Sequence, residues 1–161
     1  MLRLLRRSTL VVALFALLAV GVFACAPPPP AGQPSSMLLQ VNAQRRNAGA
    51  VALVWCPSLG RAAAAHSADQ AAHNLMTHTG SDGSDNVVRD ERNGYLNWTA
   101  LGENVAAGYP SEAAVLTAWM ASPGHRANIL NPAFTHMGSE VVTAANGTPY
   151  WTQDFGRGGT C

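Results

Sequence analysis

Three side chains in this sequence have the chemistry of a reactive or metal-holding cleft. They are His78 in LMTHTGSDG, Glu103 in LGENVAAGY and His125 in SPGHRANIL. Neutral imidazole nitrogens bind divalent metals such as zinc. A carboxylate beside them can orient or deprotonate a bound water. Two imidazoles alone make an open and weak site, because structural zinc takes four protein ligands and catalytic zinc usually three. Each residue also has a plainer reading. Glu103 can hydrogen-bond backbone or a histidine, His125 can brace the turn after Gly124, and His78 can be an exposed loop residue. No nucleophile, base and orienting group stand together at a telling spacing, so the reading leans away from an enzyme without excluding one.

Other polar residues read as structural. Asp82 and Asp85 suit turns in a Gly, Ser and Asp-rich loop. His66, Asp69 and His73 fall on one side of a helix, which fits a hydrogen-bonded or solvated polar stripe better than a metal site. His136 reads as a surface residue, and Trp55, Trp98, Trp119 and Trp151 as core or cleft wall.

The elements that must position these groups follow from caps, breakers and periodicity. The chain is organised around AWMASPGHRANILNPAF, Ala118 to Phe134, with His78 and Glu103 upstream aimed at it. Ser35-Ser36 cap a helix from Met37 to about Arg46. VALVW, 51–55, reads as a strand or an extended lead-in, with the latter favoured. Ser58 to Met76 is an alanine-rich helix behind Pro57, with Leu59, Ala62, Ala63, Ala72, Leu75 and Met76 inward. Val87 to Tyr95 reads as a short helix, and 101–109 as a short buried strand framed by glycines. Ser111 caps a helix with Ala114, Val115, Ala118 and Trp119 inward. Pro123-Gly124 stops it, and His125 to Leu130 reads as a turn. Phe134–Thr143 and Tyr150–Phe155 read as strands joined by an Asn146-Gly147 hairpin. Helices followed by a small antiparallel sheet give an α+β class, with helices layered on the sheet.

The N-terminus reads as targeting. Arg3, Arg6 and Arg7 precede an apolar run, Leu10 to Ala24, which is shorter than the roughly 20 residues that span a bilayer. Residues 1–24 are therefore expected to be a signal peptide. VFAC, 22–25, also resembles a bacterial lipobox with Cys25 as the lipid-attachment residue; ordinary cleavage near Ala24 is the alternative. Residues 25–34 form a Pro-rich tether, and 35–161 the domain. Losing the three arginines takes the formal charge from +1 to −2, which argues against a nucleic-acid partner. If Cys25 carries lipid, Cys56 and Cys161 remain. A disulfide between them suits an oxidising compartment, and two free thiols are the alternative.

GEN at 102–104, WMASPGHRANIL at 119–130 and YWTQDFG at 150–156, with HTGSDGS at 78–84, resemble the bacterial branch of the CAP superfamily. These are the cysteine-rich secretory, antigen 5 and pathogenesis-related 1 proteins, whose module is also called the SCP domain. The resemblance spans roughly residues 37 to 156. It implies an α-β-α sandwich, a small antiparallel sheet flanked by helices, with an open cleft lined by two histidines and two acidic residues. His78 and His125 match the histidines and Glu103 matches one acid. The second acid, three residues after Trp119, falls on Ser122. That departure removes a carboxylate and makes hydrolysis less expected. Some relatives are similar in binding zinc through the two histidines.

The expectation is an exported cell-envelope or secreted ligand-binding module for a lipid or envelope component. Its cleft would collect His78, Glu103, Ser122 and His125, with zinc or another divalent metal as the candidate cofactor on the histidines. A lipid on Cys25 would add a membrane anchor. The alternatives are a metal-dependent hydrolase or protease using His78, His125 and Glu103, and an extracellular protein–protein interaction domain.

Overall fold

The computed structural model describes residues 35–161, so Cys25 and the expected signal peptide and tether lie outside the described residues. The described residues form nine elements in chain order. They are α1 (Ser36–Asn47), β1 (Val54–Trp55), α2 (Pro57–His73), α3 (Asn86–Arg92), β2 (Ala100–Ala107), α4 (Glu112–Ala121), α5 (Pro123–Leu130), β3 (His136–Thr143) and β4 (Pro149–Arg157). The strands form one open sheet in the order β1-β3-β4-β2. The pairs β3–β4 and β2–β4 are antiparallel, while β1 adds a two-residue parallel pair beside β3. Among the described residues no helix is long and apolar enough to cross a membrane.

Local chemistry explains most boundaries. The side chains of Ser35, Asp85 and Ser111 accept from the first-turn amides of Leu38, Val88 and Ala114, starting α1, α3 and α4. Pro57 sits in the first turn of α2, where its missing amide proton has no helical partner to lose. The β3–β4 hairpin turns at Gly147, whose φ of 86° is open to glycine at little cost.

Strand alternation makes the sandwich. On β4, Trp151 and Phe155 join Met37, Leu38, Val41, Val115, Trp119 and Ile129, so α1, α4 and α5 cover that face. Thr152 points the other way and bonds Ser67 and Gln70 of α2. Close approach of α2 depends on Gly138, where an added Cβ would lie 2.1 Å from the Gly60 amide nitrogen. The result is α-β-α: α2 and α3 on one face, α1, α4 and α5 on the other.

Several expectations need correction. VALVW contributes a strand rather than a mere lead-in, because Val54 N–H donates to Thr135 O and Cys56 N–H to Met137 O. The helix α2 ends at His73, not Met76, because Asn74 takes a left-handed conformation. Leu75 and Met76 are consequently exposed rather than inward. His125 to Leu130 is not a turn but most of α5, whose capping position, Ser122, also closes α4.

Candidate functional site

The site is built on β2, an edge strand. Glu103 and Asn104 are consecutive, so their side chains leave opposite faces of the sheet. Each meets a polar partner on β4: Glu103 lies opposite Asp154, and Asn104 opposite Gln153.

Glu103 is buried and both its oxygens are engaged. Oε1 accepts from His78 Nδ1 at 2.7 Å, and Oε2 accepts from Arg89 Nη2 at 2.6 Å. Arg89 is itself buried on α3 and also donates to the carbonyls of Ser84 and His78. It therefore ties the loop that carries His78 to the carboxylate that orients it. The His78 side chain is 60% exposed against 4% for Glu103. Since a carboxylate only accepts, His78 Nδ1 carries the proton of this bond, and in the neutral ring Nε2 keeps a lone pair.

His66 lies behind this pair, fully buried on α2, with Nε2 3.9 Å from Glu103 Oε2 and 2.8 Å from Thr77 O. A carbonyl only accepts, so Nε2 is the protonated nitrogen; Nδ1 has no partner. Burial lowers the pKa of His66, with Glu103 acting in the opposite direction. The expected polar stripe therefore divides. Asp69 and His73 sit together at the surface and Asp69 accepts from Ser81, while His66 belongs to the interior.

Asn104 holds the other side. Its Nδ2 donates to His125 O at 3.2 Å and to Gln153 Oε1 at 3.1 Å. Asn128 of α5 donates to Asn104 Oδ1 and to Glu103 O. His125 is half-buried in the first turn of α5. Its pKa is lowered by burial, with a charge on His78 acting in the same direction. Ser122 is half-buried at the α4–α5 junction, and its hydroxyl makes no capping bond.

Other assignments from sequence fare differently. His136 opens β3, where it is half-buried rather than fully at the surface, and its Nδ1 lies 2.9 Å from the Tyr95 hydroxyl. Asp82 and Asp85 do form turn and cap contacts, to Ser84 N and Val88 N. Cys56 and Cys161 form a disulfide with Cα atoms 5.0 Å apart. Sequence reasoning placed His66 only in a polar stripe on α2 and missed Arg89, Asp90 and Asp154. A period-two reading of TQDFG against LGENV would have placed Asp154 on the same face as Glu103.

Elsewhere, α4 and α5 form an open groove of about 390 Å³ lined by Met120, Ala121, Pro123, Arg126, Ala127 and Leu130. Among the described residues no three His, Cys, Asp or Glu side chains are arranged to hold a metal ion.

The model of the cysteine-rich secretory protein family matches residues 38–155. The chain belongs to the CAP family. Among curated relatives of this CAP domain, YkwD of Bacillus subtilis is 35% identical over 114 residues, 71% of this chain and 43% of the relative. The membrane protein YlbC of the same organism is 31% identical over 114 residues, 71% of this chain and 31% of the relative. The chain thus spans less than half the length of these relatives. An extracellular SCP-domain protein of Bacillus anthracis superposes with a TM-score of 0.69 at 29% identity, covering 75% of this chain and 39% of that one. An outer surface protein of Borrelia burgdorferi also gives 0.69, at 18% identity, covering 75% and 89%, a likeness of fold.

Proposed function

We propose that this CAP domain is an exported ligand-binding module, and that the α4–α5 groove takes the apolar part of an amphiphilic lipid or envelope component. The observation that carries this reading is the groove itself: Met120, Pro123, Ala127 and Leu130 offer apolar wall beside the single cation of Arg126. An anionic head group would meet Arg126 while a chain lies along the wall. The signal-like N-terminus and an extracellular SCP-domain relative support export. The test is binding of a fluorescent long-chain fatty acid to the purified protein. Ala127→Glu, on an exposed helix position, is expected to abolish binding, and His78→Ala to leave it intact. Undiminished binding by Ala127→Glu would remove the groove from the reading.

A second reading, a divalent metal on the two histidines, is favoured by one observation. Glu103 orients His78 through Nδ1 and leaves Nε2 available, the arrangement by which carboxylates set metal-binding imidazoles. His78 and His125 would be the only protein ligands, with water or a bound ligand completing the shell. Such an ion would supply Lewis acidity. Glu103 is committed to His78 and Arg89, and Ser122 carries no charge, so these residues do not furnish a free base for hydrolysis. Zinc titration compares wild type with His78→Ala/His125→Ala. Equal uptake by both would end the metal reading.

A further inference from the structure

Asp90 and Asp154 stand apart from the other carboxylates of the described domain. Asp90, on α3, is fully buried, and neither of its oxygens has a hydrogen-bond partner. Asp154, on β4, is 1% exposed, and its Oδ1 likewise has none. An ionised carboxylate can only accept hydrogen bonds, so burying one without donors opposes folding strongly. A protonated carboxyl carries its own donor and no net charge.

The surroundings cannot neutralise two more anions. Around Asp90 stand Asp85, Arg89 and Glu91 from α3 and its cap, Glu103 from β2, Asp154 from β4, and the Tyr95 hydroxyl. His66, from α2, faces Glu103 and Arg89 and is kept neutral by burial. The interior of this cluster therefore holds one cation, Arg89, against the three buried carboxyls of Glu103, Asp90 and Asp154. Arg89 is already bonded to Glu103 Oε2, Ser84 O and His78 O. Neutrality is reached when Glu103 is the one anion.

We propose that Asp90 and Asp154 form a buried proton-binding pair, both carboxyls occupied as neutral acids at neutral pH, behind the Glu103–His78 contact. Burial, followed by the charge of Glu103, pushes Asp90 up to about 8. Burial, then Asp90 and Glu103, raises Asp154 well above the usual carboxylate range. The sign for stability follows. A carboxyl whose pKa is raised on folding contributes fully below its unfolded value, near 4. That contribution is lost as pH rises through the folded value, so the window for Asp90 runs from about 4 to about 8.

Asn matches the shape of the neutral acid and cannot ionise. Asp90→Asn is expected to melt with wild type at about pH 4 and about 15 °C above it at about pH 8. Asp154→Asn is expected to behave likewise, which covers the case that one variant fails to fold. Infrared spectra of the purified wild-type protein near pH 7 are expected to show a protonated-carboxyl stretch that disappears in either variant that folds, in part, and wholly in the double variant. Absence of that band at neutral pH would overturn the proposal. So would melting curves of wild type and the Asn variants that run parallel across the whole window.

Discussion

Two neighbouring rungs of the sheet, Glu103–Asp154 and Asn104–Gln153, do similar work with opposite chemistry. The carboxyl rung faces α2 and α3 and orients His78 through its imidazole. The amide rung faces α4 and α5 and holds His125 through its carbonyl. Amides carry donors and acceptors in one group, so Asn104, Asn128 and Gln153 link to one another without any charge. Carboxyls have no donors of their own when ionised, so the other rung needs Arg89 and, on the proposal above, protons. One rung is therefore sensitive to pH and to the loss of a single cation, and the other is not. The two histidines are held by unlike means.

The largest break in this comparison should come from Arg89→Ala. It leaves Glu103 buried beside Asp90 and Asp154 with no cation, which costs on the order of 3–5 kcal/mol in urea denaturation. A smaller loss would mean that Glu103 takes up a proton in the variant, and the stability of Arg89→Ala would then rise as pH is lowered. The amide rung is broken by Asn104→Ala, which strands the His125 carbonyl, Asn128 and Gln153. The expected loss is about 1–3 kcal/mol, and its size should be the same at about pH 5 and about pH 9 because no partner in that rung titrates. A pH-dependent loss would show that the rungs are coupled rather than independent. His78→Ala is expected to have the smallest effect, less than about 0.5 kcal/mol, because the ring is largely solvated and its contact with Glu103 is screened. The same variant should abolish any zinc uptake, separating the ring's role in the cleft from its role in the fold.

What the sequence revealed of this fold was whatever is decided locally. Caps at Ser35, Asp85 and Ser111 are bonds between a side chain and an amide three residues on, and they can be read from neighbours alone. The Asn146-Gly147 turn and the two strands it joins are local in the same sense. The strand β1 was passed over for an extended lead-in because two residues carry no period, and their pairing is supplied by β3, some 80 residues later. The extent of α2 was misjudged because Leu75 and Met76 continue an apolar pattern after Asn74 has already turned the backbone. At the site, a family resemblance singled out His78, Glu103 and His125, and the first two are in contact. Arg89, Asp90 and Asp154 were not singled out, and His66 was read only as part of a polar stripe, because polarity ordinarily argues for exposure, and their burial follows from how α2 and α3 close over the sheet. A charged residue inside a helix says nothing alone about which layer will cover it.

The disulfide between Cys56 and Cys161 joins positions 105 residues apart, at the start of α2 and at the last residue of the chain. Topologically, residues 56 to 161 are a covalent ring, with α1 and β1 outside it. A protease that cuts one exposed loop within that ring, such as the stretch around Ser81 to Gly83, linearises it without releasing a fragment. Nicked and intact molecules would keep the same mass apart from one added water, and would separate into pieces only when reduced.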